Sequence, residues 1–152
     1  MFILCMCMKH SKQKGNLGYS STIKELHKLG LNVFVELGDN SKVDLIIENG
    51  GKLTKIQVKY ATEKNGAVSL PVKKSGPNGY RYTYTDNDID IFSVYLPTND
   101  KVIFIPSKLA CQNKKEFMIR FEPPKNNQKN GVHLISEFED LKKVLGDVAM
   151  GL

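Results

Sequence analysis

Two β-rich runs, residues 42–48 (KVDLIIE) and 53–60 (LTKIQVKY), flank Asn49-Gly50-Gly51-Lys52. Nothing else in the chain restricts its possible folds as much. Adjacent glycines supply the positive φ values of a two-residue hairpin loop. A loop at Gly50-Gly51 sets Asp44 opposite Gln57. Opposed residues share a face with Cβ atoms ~4.5–5.5 Å apart, and Lys59, two residues beyond Gln57, projects from that face. Val43, Leu45, Ile47, Ile56 and Val58 are expected on the other face. A carboxylate, an amide and an ammonium thus meet on one patch backed by aliphatic side chains. A one-residue slip would scatter them.

The 152 residues, 41% of them apolar, are enough for one domain with a substantial core. The expected domain spans 1–152, with a core at about 14–110 and a C-terminal strand and helix at about 116–150. Residues 16–30 carry a helical pattern: Tyr19, Ile23, Leu26 and Gly30 share a stripe, Lys24, Glu25 and Lys28 face away, and Gly30 closes the helix. Residues 31–37 read as a strand and 38–40 as a turn. Runs 67–72 and 80–85 flank Ser75-Gly76-Pro77-Asn78-Gly79 and are expected to form a two-stranded ribbon, with Pro71 at an edge. Residues 90–96 and 101–105 read as a buried hairpin, and 116–121 as a weaker strand. Residues 123–131 read as a polar loop. A closing helix is expected over 136–145, with Ser136 and Glu139 as a capping box. This order predicts an α+β domain with a mixed or antiparallel central sheet flanked by helices, plus an added β-ribbon.

Charge and cysteine usage narrow the class further. Net charge is +6. Residues 52–85 hold Lys52, Lys55, Lys59, Lys64, Lys73, Lys74 and Arg81 against Glu63 alone, which fits a polyanionic partner. No apolar run approaches the ~18–20 residues needed to span a bilayer. Residues 1–8 (MFILCMCM) lack the basic region and cleavage site of a signal peptide. Three cysteines are too few for a disulfide framework, so a cytoplasmic location is expected. Cys5, Cys7 and His10 lack the second half of a zinc site. His27 and His133 are isolated, and Gly15 and Gly18 lack the Gly-Lys-Ser/Thr of a phosphate loop. Asp86, Asp88 and Asp90 read as an exposed acidic turn rather than a calcium loop.

Asp44, twelve intervening residues and then Gln57-Val58-Lys59 give the pattern D-x12-QxK, and Lys14-Gly15-Asn16-Leu17-Gly18 opens a helix upstream. Together these resemble the PD-(D/E)XK nuclease superfamily, whose fold is shared by many restriction enzymes and Holliday junction resolvases. A QxK variant in a small basic chain is similar to the restriction-fold homing endonucleases encoded within bacterial group I introns. The resemblance covers about residues 14–110. Three positions depart from it: Lys42-Val43 stand where Pro is frequent, Gln57 replaces an acidic residue, and Tyr19 occupies the place of a helical Glu. Glu25 points to another helix face and cannot substitute.

The resemblance implies a site-specific endonuclease of double-stranded DNA, using Mg²⁺ or Mn²⁺, with Ca²⁺ as a non-catalytic substitute. It implies no small-molecule cofactor and no membrane partner, and a symmetric homo-oligomer, dimeric or tetrameric. Asp44 would be the principal metal ligand and the Val58 backbone carbonyl a second. Gln57 would coordinate through its amide oxygen or bond to a metal-bound water, and Lys59 would hold the attacking water. With Tyr19 in the helical position the expected pocket holds one carboxylate, so cleavage should be feeble or absent while DNA binding persists. A junction resolvase of the same fold and a non-catalytic DNA-binding module are the rival readings.

For DNA contact the ribbon is expected to contribute Lys64, Ser69, Lys73, Lys74, Tyr80, Arg81, Tyr82, Thr83 and Thr85, since such a ribbon fits a major groove. Lys52, Lys55, Lys64, Lys114, Lys115, Lys125 and Lys129 are expected to touch phosphates. Tyr80, Tyr82 and Tyr84 suit either a DNA-facing or a core role.

Overall fold

Helix α1 (Ser11–Lys28) begins five residues before the expected start and stops where glycine permits. Gly30 adopts φ +72°, its N–H donates to the His27 carbonyl, and the Leu31 N–H reaches back to the Leu26 carbonyl. Those two bonds satisfy carbonyls that the helix end would leave unpaired. The computed structural model describes residues 11–38, 41–75, 81–112, 115–124 and 131–151.

After α1 come β1 (Asn32–Val35), β2 (Leu45–Asn49) and β3 (Lys52–Tyr60). Next are β4 (Ala67–Pro71), β5 (Lys73–Ser75), β6 (Arg81–Thr83), β7 (Ile91–Leu96) and β8 (Lys101–Pro106). The chain closes with a short α2 (Ser107–Ala110), β9 (Glu116–Arg120), a 3₁₀ turn (Ile135–Phe138) and α3 (Leu141–Met150). The main sheet has the order β1-β2-β3-β7-β8. It is mixed: β3 and β7 run parallel, and the other neighbours antiparallel. The fold is therefore the expected α+β, restriction-endonuclease-like architecture.

The β2–β3 hairpin has the predicted register, with Leu45 opposite Ile56 and Asn49 opposite Lys52. Gly50 and Gly51 sit at φ +59° and +80°, as a two-residue turn with both central residues left-handed requires. One face of the sheet carries Leu45, Ile47, Ile56 and Ile91 against Leu26 of α1 and Leu141 and Val144 of α3. The buried Thr22–Ser93 hydroxyl pair, 2.7 Å apart, ties α1 to β7. The opposite face carries Phe92, Val94, Ile103 and Ile105 against Val68 and Leu70 of β4 and Phe117 and Ile119 of β9. Val43, expected beside Leu45, packs instead against this second core. It precedes β2, so the strand alternation does not govern it.

Two local expectations are corrected. β4 pairs with β9, not with the 80–85 run, so the ribbon shrinks to β5 and β6. The chain breaks pairing at Val72, whose carbonyl accepts from Tyr84 N–H, and β4 finds its partner far downstream. The closing helix starts at Leu141, capped by Asp140, whose carboxylate accepts from the Lys142 and Lys143 amides. Ser136 lies inside the preceding 3₁₀ turn rather than at a helix cap.

Candidate active site

β3 outruns β2 by four residues. Leu45, the first residue of β2, pairs with Ile56, so Gln57 to Tyr60 run on past the end of the β2–β3 ladder. The Asp44 side chain meets this end of β3: its Oδ2 accepts from Val58 N–H at 2.7 Å and from Gln57 Nε2 at 2.5 Å. Gln57 Nε2 also approaches the Val58 carbonyl at 3.3 Å. Asp44 and Gln57 thus meet, as expected, though through their side chains: the Asp44 N–H bonds to the Ile56 carbonyl, and Gln57 is buried at 5% exposure. Its Oε1 is buried with no hydrogen-bond partner among the described residues.

A cleft of about 400 Å³ opens beside this edge, lined by Asp44, Val58, Lys59 and Tyr60 from the hairpin. Helix α1 lines the other wall with Lys12, Gly15, Asn16 and Tyr19, residues three or four apart on one helical face. Gly18 brings that helix close: a Cβ there would stand 3.4 Å from the Lys59 carbonyl oxygen. The cleft mouth is completed by Glu36 and Gly38, just after β1.

Lys59 and Asp44 therefore line one cavity, and the Lys59 ammonium lies 4.8 Å from the centre of the Tyr84 ring. Tyr84 is itself buried and packs edge-on to Phe92. Burial, the neighbouring Tyr82 phenol and the Asp44 charge push the Tyr84 hydroxyl far above its usual range. Tyr19 stands in the cleft wall, where burial, Asp44 and Glu36 raise its phenol too. It is accordingly a neutral group where the resemblance calls for a carboxylate. Glu25 pairs with Lys28 at 2.8 Å, away from the cleft, as the helical angle requires. Among the described residues no three His, Cys, Asp or Glu side chains converge as a metal cage.

Lys12, Glu36 and Tyr60 of the cleft lining, and Tyr84 beneath Lys59, escaped the sequence reading. Glu36 sits at the strand end whose register nothing local fixes. Tyr84 was legible only as one of three tyrosines of open role.

The expected DNA-facing residues divide. Lys73 and Arg81 are exposed on the β5–β6 ribbon, with Arg81 opposite Ser75, and Thr83, opposite Lys73, is exposed too. Lys74 lies in β5. Lys64 is exposed at the turn before β4. Ser69 leaves the ribbon: it lies in β4 and its hydroxyl bonds to the Glu116 carboxylate. Tyr82 is partly buried against the core, with the Lys42 ammonium 4.9 Å from its ring centre. Thr85 spends its amide and hydroxyl on Asp88, both at 2.9 Å. The acidic turn is engaged rather than simply solvated, because Asp88 pairs with Lys42 at 2.7 Å and Asp90 accepts from Lys55 N–H at 2.7 Å. Tyr80, Lys114, Lys125 and Lys129, like Cys5, Cys7 and His10, lie outside the described residues.

A PD-(D/E)XK endonuclease family model matches residues 9–141, most of the chain and all of the cleft. The chain belongs to the PD-(D/E)XK endonuclease family. Its fold is similar to that of a bacterial homing endonuclease, I-Ssp6803I, with a TM-score of 0.74 and 20% identity over 93% of this chain and 95% of that one. It is also similar to Hjc of Archaeoglobus fulgidus, a Holliday junction resolvase from an archaeal hyperthermophile. That likeness has a TM-score of 0.51 and 16% identity, over 88% of this chain and 96% of the other. At these identities the two structures speak for the fold. A comparison with curated protein sequences finds no match. PD-(D/E)XK nucleases generally use divalent metal ions. Among the described residues no helix is long and apolar enough to cross a membrane.

Proposed function

We propose that this PD-(D/E)XK protein is a site-specific endonuclease of double-stranded DNA, of the intron-homing kind, using Mg²⁺ or Mn²⁺. The observation that carries the reading is the shared cleft of Asp44 and Lys59, with the Gln57 amide bonded to Asp44. The donor set fits a hard divalent cation. The Asp44 carboxylate, the Val58 carbonyl and Gln57 Oε1, which has no hydrogen-bond partner among the described residues, are all oxygens, and Mg²⁺ commonly needs only one or two carboxylates. Ca²⁺, which prefers looser and larger oxygen shells, is the expected non-catalytic substitute.

When bound, the cation supplies charge neutralisation at the scissile phosphate and makes water more acidic. Asp44, the Val58 carbonyl and Gln57 would hold that cation. Lys59 orients the attacking water and lowers its pKa through its own positive charge. The Tyr84 ring supports the Lys59 ammonium from one side, an attraction of about 0.5–2 kcal/mol. Tyr19 contributes a neutral phenol, so cleavage by the chain as written is feeble. Lys73 and Arg81 on the ribbon read base edges, and Lys64 and Lys12 contact phosphates. One such cleft cuts one strand, so a double-strand break calls for a symmetric dimer or tetramer.

The test is Mg²⁺-dependent nicking of duplexes selected from a random library. Tyr19→Glu should raise the rate, and adding Lys59→Met should abolish it. No gain from Tyr19→Glu, with duplex binding intact, favours the non-catalytic DNA-binding module. Preference for four-way junctions over any linear site favours the resolvase.

A further inference from the structure

The stretch that forms β6 and runs just beyond it alternates between two sides. Arg81, Thr83 and Thr85 are exposed, Tyr82 is partly buried and Tyr84 is 1% exposed. A period of two puts the tyrosines on one side of the chain and the expected base-reading groups on the other. The two tyrosine rings meet edge-on with centres 5.7 Å apart, and Tyr84 meets Phe92 of β7 in the same way at 5.5 Å. The Tyr84 N–H donates to the Val72 carbonyl, which carries the β5–β6 pairing one step further.

Each of these rings carries a lysine. The Lys42 ammonium lies 4.9 Å from the Tyr82 ring centre, and the Lys59 ammonium 4.8 Å from that of Tyr84. The lysines come from the two chain segments that build the cleft: Lys42 stands two residues before Asp44, and Lys59 two after Gln57. Lys42 also pairs with Asp88 at 2.7 Å, and Asp88 accepts from the Thr85 amide and hydroxyl. Lys42 is thus tied both to the inner face of the ribbon and to the chain just beyond it. Proline, frequent at this place in the family pattern, would make neither contact.

We infer that Lys42 is a positioning residue which, through Tyr82 and Tyr84, holds the β5–β6 ribbon at a set place beside the cleft, so that the base pairs met by the ribbon govern where the Lys59 ammonium stands. The inference rests on the nuclease reading above and joins its recognition part to its cleavage part. A cation is drawn to the negative face of an aromatic ring, so a ring that shifts takes the favoured place of the ammonium with it. The edge-on contact between Tyr82 and Tyr84 passes such a shift from one ring to the other. Residues 81 and 83 face outward and can change without disturbing that inner pair.

The Lys59 side chain reports on this directly, without turnover. Protein carrying isotope-labelled lysine is followed by NMR in chelator, and the Lys59 signal is identified by its loss in Lys59→Met. The duplex selected from the random library and a scrambled duplex are added in turn to wild type, Lys42→Met, Lys42→Arg and Tyr82→Leu. Thermal melting and duplex affinity check that each variant is folded. The selected duplex should displace the wild-type Lys59 signal further than the scrambled one, because the Tyr84 ring current acts on it. Lys42→Met and Tyr82→Leu should bind the selected duplex within a few-fold of wild type yet lose that difference. Lys42→Arg keeps a cation for Tyr82 and Asp88 and should retain it. Equal displacement by the two duplexes in wild type, a difference that survives in either disrupting variant, or its loss in Lys42→Arg overturns the inference and leaves the nuclease reading standing. A Lys59 signal that no bound duplex disturbs overturns the two together.

Discussion

Gln57 Nε2 donates to Asp44 Oδ2 at 2.5 Å, and that same oxygen accepts from the Val58 amide. The amide therefore holds the carboxylate in place without adding charge, which an acidic residue at position 57 could not do. Gln57→Glu would set two carboxylates against each other in a buried place, costing about 2 kcal/mol in the absence of metal. Thermal melting should show the loss in chelator and its recovery on adding Mg²⁺. Identical melting curves under the two conditions would count against a cation at this position.

Lys59 and Tyr84 make the second prediction. Lys59→Met should reduce cleavage by about 10²–10⁴-fold while leaving duplex affinity within a few-fold. Tyr84→Leu should lower both stability and cleavage, since it removes a buried ring and the face under the ammonium. Tyr84→Phe keeps the ring and should retain most of the activity. If Tyr84→Phe is as damaging as Tyr84→Leu, the phenol and not the ring face is what matters.

Alkaline stability follows from Tyr95. Burial, the hydrogen bond to Asp100 and the Asp100 charge push its phenol up to about 12, from an ordinary value of 10.0. Between those values the unfolded chain releases the proton while the folded chain keeps it. Stability is therefore full below about pH 10 and falls as pH rises towards 12, by about 1.4 kcal/mol per pH unit for this group. Urea melts at about pH 9 and about pH 11 should show the slope. Tyr95→Phe should remove one proton's share of it, leaving the part that belongs to Tyr84. A slope unaltered by Tyr95→Phe would refute the assignment.

Ribbon and turn cations should separate in their effects on DNA. Arg81→Ala should relax preference at one base pair by about 1–3 kcal/mol. Lys64→Ala should weaken binding to all duplexes alike and reduce the salt slope by about one unit. Binding measured across salt concentrations, on the selected site and on a scrambled one, distinguishes the two. Any residue whose removal leaves both quantities unchanged does not belong to the interface.

Local chemistry explains what was readable in advance. The Gly50-Gly51 turn sets the β2–β3 register as far as Leu45 and Ile56, because every relevant neighbour lies within the hairpin, and Asp44 and Gln57 follow directly on that pair. Gly30 marked the end of α1 for the same reason. Pairing between distant strands has no such signature. The β4–β9 ladder joins residues about fifty positions apart, and the turn residues at 75–79 made a nearer partner look sufficient. Glu36 was missed because the β1–β2 register passes through a nine-residue connection, which sets no pairing by its length. At the C-terminus, the Ser136/Glu139 pattern and Asp140 competed for one helix start, and Asp140 prevailed because its carboxylate reaches two free amides.

Because β3 and β7 lie side by side in parallel, the chain must travel across the sheet between them, and the β5–β6 ribbon rides on that excursion. Under the proposed reading, target choice and bond cleavage then reside on separately mutable stretches. New ribbon sequences could be inherited and selected while the strands bearing Asp44 and Lys59 stay as they are, an arrangement suited to a lineage that must follow a drifting target.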